Sequence, residues 1–370
     1  MPFPVYKYPR IKPFVEFCWR KGIVSFFKIP GLSIDLDDEK KFIYNVCSIM
    51  DGSISLQDLK ERMSSIYPYE SQFLDDLLSA LDNEYLIEDV FYNIPNATIE
   101  AQERWSKNVE FLGSYCRAKE NKHQKQQSLS EIKVVILGLG GVGSNVLLNL
   151  AALGVLNFRI VDYDKVSLSN LNRQILYSNT DIGHYKSDMA KQRILQFLPN
   201  ANIECCNKKL ESTDDVLEMV RGYDFVIAAA DMPREKILDW VNNACLEFKI
   251  PYICGGLDSL WATYFSIIPG ITGCMACWKQ SASKDRALYQ DIVQAEYFSS
   301  APSPNVAIMP MISMVSGLIS SEFLKIVTKI SEPNALGKLC IFNFKSSEMA
   351  VQETWEKLDN CPICSKEQFN

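Results

Sequence analysis

Residues 133–174 read KVVILGLGGVGSNVLLNLAALGVLNFRIVDYDKVSLSNLNRQ, and the fold is decided there. The apolar run at 134–137 has the character of a parallel strand buried on both faces. Gly138, Gly140, Gly141 and Gly143 follow at once, then Ser144 and a helical stretch to Leu153 that Gly154 stops. A second short strand at 158–161 ends in Asp162. Glycines at 138, 140 and 143 let the backbone turn tightly and come close to a phosphate, which the N-terminus of the next helix attracts. Asp162, about 20 residues on, stands where an acid holds a ribose hydroxyl. A nicotinamide or flavin site is one reading of this segment. The continuation favours another, because Asp164 and then SLSNLNRQ at 167–174 put Asn170 and Arg173 just past the second strand. A dinucleotide needs no cation there. A triphosphate does, and Arg173 offers planar multidentate donors beside the Asn170 amide.

Length and charge bound the rest. At 370 residues the chain has room for about two domains. Hydrophobic residues make up 47%, enough for a sizeable core. A net charge of −7 argues against a nucleic-acid surface. The absence of an apolar run of about 18 residues predicts no membrane-spanning helix. MPFPVYKYPR lacks the apolar stretch of a signal peptide. Twelve cysteines then point to a reducing, cytoplasmic setting, in which ordered clusters hold metal instead of forming disulfides.

Residues 1–93 read as a small separate domain. Two β-like runs, 14–19 and 23–27, flank Arg20-Lys21-Gly22, a hairpin signal, and 31–36 supplies a third strand. Asp37 or Asp38 caps a helix with Phe42, Ile43, Val46 and Ile49 on its apolar face. Ser55 caps a second helix. Glu70 or Ser71 opens a third, and Tyr85-Leu86-Ile87 closes the unit as a strand. This is a winged-helix pattern. Fifteen acids against ten bases in residues 1–95 argue against DNA as its ligand. Residues 94–130 read as a connector, helical from Glu100 to Tyr115 and then polar and mobile through ENKHQKQQSLS. The body runs over 131–370. In it, YDFVIAAA at 223–230 is a buried strand ending at Asp231, where a carboxylate faces the ligand crevice of an open α/β sheet. Asp231 also stands where it could cap a helix from Pro233. Strands are expected at 250–254 and, antiparallel, at 261–267. Cys274-x-x-Cys277 and Cys361-x-x-Cys364 are paired at the spacing of a tetrahedral four-thiolate zinc site, which ties the tail to the body.

DYDKVSLSNLNRQ resembles the signature of the ThiF/MoeB superfamily, the ATP-dependent carboxylate-activating enzymes that include the ubiquitin-activating enzymes. The resemblance covers roughly residues 100–370. It implies a Rossmann-like, mostly parallel sheet with helices on both faces, and a homodimer that binds ATP and Mg²⁺. It implies that Gly138, Gly140, Gly141 and Gly143 hold phosphates and Asp162 the ribose. Asp164, Asn170, Arg173 and Lys186 are implied as further nucleotide contacts, and Asp231 as the Mg²⁺-side catalytic acid. The zinc is implied to be structural. ERWSKNVEF at 103–111 is similar to the family's arginine-bearing helix, which lends a cation to the partner's ATP; here Arg104 fills the first basic position and Lys107 the second, where the family usually has arginine.

Residues 1–93 are similar in layout to PqqD-like elements, which bind the leader of a ribosomal precursor peptide by adding it as a strand. Members of the family that charge a ubiquitin-like protein usually form a thioester on a cysteine beyond the first CxxC; here none lies between Cys277 and Cys340, and residues 279–309 suggest a substrate-covering loop. The combination resembles the peptide-modifying members of microcin C7 and, still more, pantocin A biosynthesis. It implies adenylation of a side-chain carboxyl or amide of a precursor peptide, followed by internal cyclisation. A sulfur-carrier or ubiquitin-like activating enzyme, a nicotinamide oxidoreductase and a peptide-binding scaffold are the rival readings.

Overall fold

The computed structural model describes residues 6–29, 32–91, 98–233, 236–258, 261–281 and 306–365. Its contacts divide the chain into two units, Met1–Gln127 and Ser128–Asn370.

In the first unit, β1 (Pro9–Ile11) precedes a three-stranded antiparallel sheet of β2 (Glu16–Arg20), β3 (Ile23–Ile29) and β4 (Leu32–Asp37). The hairpin turn stands where Arg20-Lys21-Gly22 led one to expect it, with Lys21 and Gly22 at φ 51 and 83. Helices α1 (Phe42–Ile49), α2 (Leu56–Ile66) and α3 (Leu74–Asn83) follow. Asp38 opens α1: its carboxylate accepts the Ile43 and Tyr44 N–H groups at 3.0 and 2.9 Å. Ser55 caps α2 through the Asp58 N–H. The third helix differs from expectation at its start, since Glu70–Phe73 is a single 3-10 turn and α3 begins at Leu74. The closing strand shifts too. Tyr85 turns through φ 57, and β5 (Ile87–Asp89) pairs with β1, a strand too short to leave a period in the sequence.

The expected long helix over 100–115 is two, α4 (Ile99–Arg104) and α5 (Ser106–Ser114), broken at Trp105. The polar segment expected to be mobile contains helix α6 (Lys122–Glu131). Charge accounts for its N-terminal anchor. Lys122 is buried and pairs with Glu88 at 3.0 Å and Glu110 at 2.9 Å, and Glu88 also accepts Arg10 Nε at 2.7 Å.

The second unit is built on one eight-stranded sheet, ordered β13-β12-β11-β10-β9-β6-β7-β8. Its strands are β6 (Lys133–Leu137), β7 (Asn157–Val161), β8 (Asn202–Cys206), β9 (Phe225–Ala228), β10 (Tyr252–Asp258), β11 (Trp261–Ile267), β12 (Lys338–Asn343) and β13 (Glu348–Thr354). The pairings from β8 through β10 are parallel, and those from β10 to β13 antiparallel. This is the expected mixed α/β fold around a mostly parallel sheet. Its helices are α7 (Gly141–Leu153), α8 (Lys186–Phe197), α9 (Thr213–Val220), α10 (Ile237–Glu247), α11 (Met275–Ser281) and α12 (Met309–Thr328). Val135 and Leu137 share a core cluster with residues of α9 and α10. On the other face Phe225 meets Phe323 of α12 edge-on, centroids 4.9 Å apart. Helix α12 is long and apolar enough to cross a membrane, yet it packs on α7, β10 and β11. Its buried Glu322 accepts the Ser266 hydroxyl and the Asn334 and Ala335 N–H groups, each at 2.8 Å.

Lys122→Ala is expected to cost the first unit about 3–5 kcal/mol, the scale for breaking a buried ion pair and stranding its acid. Thermal or urea unfolding of the full chain would measure it.

Candidate nucleotide site and thiolate cluster

The strand order reverses between β6 and β9, so a crevice opens at their carboxyl ends, where open α/β sheets bind ligands. The glycine turn fills that point. Gly138 has φ 89, and a Cβ on it would lie 2.7 Å from the Ala230 nitrogen, so the chain just before Asp231 runs against the turn. A Cβ on Gly143 would lie 1.9 Å from the Gly138 carbonyl oxygen, which leaves α7 free to start directly under the turn. A Cβ on Gly141 would strike Ile312 Cδ1 of α12 at 2.6 Å and approach the Arg173 carbonyl at 3.6 Å. The first turn of α7 thereby has the Arg173 segment on its flank.

The acids and bases named from the sequence within the second unit gather around this turn. Asp162 is buried; its two oxygens accept the Leu139 N–H at 2.6 Å and the Asp164 N–H at 2.8 Å. Burial raises its carboxyl above the ordinary range, with nearby Lys186 pulling it back. The Lys186 ammonium, buried at the start of α8, pairs with Asp164 at 2.8 Å. Asn170 turns its amide oxygen to the Ser167 N–H at 3.1 Å and closes a capping box. The Arg173 guanidinium donates to the Ser169 carbonyl at 3.0 Å and to Asn172 Oδ1 at 2.8 Å. Asp231 is exposed, past the end of β9. It does not cap the next helix, because α10 starts at Ile237 with Lys236 at its N-cap. Arg104 and Lys107 belong to the first unit; both are exposed, and Arg104 pairs with Glu100 at 3.4 Å. The loop expected over 279–309 lies mostly outside the described residues.

Sequence reasoning missed two buried groups beneath the turn. The Tyr177 hydroxyl donates to the Leu139 carbonyl at 2.9 Å. Gln174 is 3% exposed, and its side-chain oxygen has no donor among the described residues. Gln174 is the last residue of the signature and Tyr177 stands just past it, so the only sequence signal was their closeness to Arg173.

Cys274, Cys277, Cys361 and Cys364 are all buried, with their sulfurs within 4.8 Å of one another. The Cys274–Cys277, Cys274–Cys361 and Cys277–Cys364 separations are 3.9, 3.7 and 3.5 Å. Disulfide sulfurs stand about 2.05 Å apart, whereas four ligands at about 2.3 Å around one tetrahedral zinc stand about 3.8 Å apart. The donor set and spacing fit such an ion. Trp355 fastens the tail beside it: its indole donates to the Gly273 carbonyl at 3.0 Å, and its ring tilts on Trp278 at 5.4 Å.

The model of the ThiF family matches residues 115–363. A sulfur carrier protein adenylyltransferase of Thermus thermophilus is 30% identical over 252 residues, 65% of this chain and 85% of that protein. A probable molybdopterin-synthase adenylyltransferase of Porphyra purpurea is 36% identical over 136 residues, 37% of this chain and only 35% of that protein. Among solved structures, E. coli MccB with AMPCPP and MccA superposes at TM-score 0.77 and 22% identity, over 96% of this chain and 99% of that one. PaaA superposes at TM-score 0.72 and 23% identity, over 93% and 100%. At these identities the likeness to both structures is one of fold.

Gly143→Ala is expected to cost at least about 1–3 kcal/mol, the scale for overpacking, because backbone has to yield. Gly256→Ala, with nothing within 4 Å of the added carbon, is expected to stay within about 0.5 kcal/mol. Thermal unfolding of both variants checks the contrast.

Proposed function

The chain belongs to the ThiF family and is an adenylyltransferase of the ThiF/MoeB type; from that premise we propose that it uses ATP and Mg²⁺ to adenylate a side-chain carboxyl or amide of a ribosomally made precursor peptide. The adenylate is then consumed within the same peptide to close a ring, as in microcin- or pantocin-like antibiotic biosynthesis. One observation carries this reading: the peptide-modifying folds take in nearly the whole chain, first unit included, whereas the sulfur-carrier relative matches 65% of it. The three-stranded sheet of the first unit has β2 and β4 at its edges. We assign it the precursor's leader, added as a further strand. The first 34 residues carry six bases and one acid, which suits an acidic leader.

In the activating step a carboxylate oxygen attacks the α-phosphorus of ATP; the bond to the β-phosphate oxygen breaks and pyrophosphate leaves. Two anions meet, so the site has to supply fixed positive charge where negative charge builds up. Arg173 and Lys186 serve that end, Lys186 exchanging its Asp164 partner for phosphate. The glycine turn and Asn170 hold the phosphates and Asp162 the ribose. Asp231 would hold Mg²⁺, which supplies charge neutralisation at the phosphates. Arg104 or Lys107 of a second copy in a homodimer adds a cation. The four cysteines hold zinc in a closed shell with no open position, so its part is structural. We place the protein in the cytoplasm, where its thiols stay reduced.

The identity to the Thermus thermophilus relative supports a second reading, activation of a sulfur-carrier protein. The next cysteine after Cys277 is Cys340, buried in β12, which disfavours a thioester step.

Labelled pyrophosphate is expected to exchange into ATP only when the peptide is present, and AMP to be the nucleotide product. Arg173→Ala is expected to slow exchange by about 10²–10³, the scale for one preorganised donor, and Asp231→Ala to abolish it. ADP as product would overturn adenylation. Exchange driven by a carrier protein ending in Gly-Gly, and not by any peptide, would select the second reading.

Metal analysis of protein purified without added zinc is expected to give about one zinc per chain. Cys361→Ser should lower the melting temperature more than it changes nucleotide binding. A folded, zinc-free chain would end this assignment.

A further inference from the structure

One residue of the glycine turn, Leu139, is gripped through both of its backbone polar groups. The Leu139 N–H donates to Asp162 at 2.6 Å, and the Leu139 carbonyl accepts the Tyr177 hydroxyl at 2.9 Å. Leu139 is fully buried and Tyr177 only 5% exposed, so water does not replace either bond. Burial, and then the Asp162 and Asp181 carboxylates, raise the Tyr177 phenol far above its ordinary pKa, so it stays a neutral donor.

Tyr177 is not tied to the turn in sequence; it belongs to the segment that carries Arg173. Backbone hydrogen bonds chain that segment together: Arg173 N–H and Gln174 N–H to the Asn170 carbonyl at 3.1 and 3.0 Å, and Tyr177 N–H to the Gln174 carbonyl at 3.1 Å. The Arg173 carbonyl lies beside Gly141. A shift of the turn relative to this segment therefore has to break the Tyr177 bond.

We propose that Tyr177 is a positioning residue: its hydroxyl locks the Arg173 segment to the glycine turn, so that the turn's amides and the Arg173 guanidinium meet one triphosphate in fixed register. The inference rests on the nucleotide reading above. Its physical content is preorganisation, because a cation already in register is not ordered at the moment of binding. Phenylalanine at 177 keeps the ring that fills the core and leaves the Leu139 carbonyl buried without its donor.

The test measures Mg²⁺-dependent binding of a fluorescent, non-hydrolysable ATP analogue to the full chain. Tyr177→Phe is expected to weaken binding about 3- to 10-fold, the scale for one neutral hydrogen bond. Tyr252→Phe is the control for a merely structural hydroxyl. It removes an equally buried donor, 3.2 Å from Asn242 Oδ1, at the thiolate side of the sheet. It should lose stability with affinity unchanged, and all variants are compared at a temperature where circular dichroism shows them folded. In an Arg173→Ala background, Tyr177→Phe is expected to cost less than it does alone, because the lock then has no guanidinium to place. Wild-type affinity in Tyr177→Phe, or losses that simply multiply in the double variant, would overturn the lock and leave the nucleotide reading intact. Failure of the wild-type chain to bind the analogue would overturn both.

Discussion

The approach of α7 to the glycine turn is the constraint on which the second unit depends. With a Cβ on Gly143 only 1.9 Å from the Gly138 oxygen, no side chain fits between strand and helix. Their closeness brings the unpaired amides at the start of α7 to the switch point of the sheet. The same backbone makes room for α12 through Gly141 and for the end of β9 through Gly138. The glycines thus act in packing first.

Charge is held in check around this turn. Lys186 is occupied by Asp164, Arg173 by carbonyl and amide oxygens, and Asp162 by two backbone amides. Each interaction holds a side chain near the crevice and gives its charge a partner. The raised carboxyl of Asp162 is the exception, since desolvation there outweighs its favourable contacts.

The first unit solves a different problem. Helix α6 carries almost no apolar face, and its first residue is a buried lysine. Glu88 accounts for this: set by β5 into the interior, it meets Arg10 and Lys122 together. Lys12, also buried, donates to the Cys116 carbonyl at 2.7 Å. Such ion pairs are expensive to desolvate, and their geometry specifies where α5 and the start of α6 stand more than it adds stability.

What the sequence determined by itself was everything carried by short-range pattern. The apolar run at 134–137, the glycines after it, Asp162 at the end of the next strand and the CxxC spacing within each cysteine pair are read from spacing alone, because strand period, helix start and the spacing within a pair are local. The hairpin at Lys21-Gly22 and the Ser55 cap were legible for the same reason. Only the tertiary structure decided that α6 is a helix, that Asp231 does not cap α10, and that Tyr177 reaches back to Leu139. These depend on partners far away in the chain: Glu88 lies 34 residues from Lys122, and Leu139 lies 38 from Tyr177. A side chain's pattern records which face it is on, but the partner that satisfies a buried polar group is set by how the elements pack.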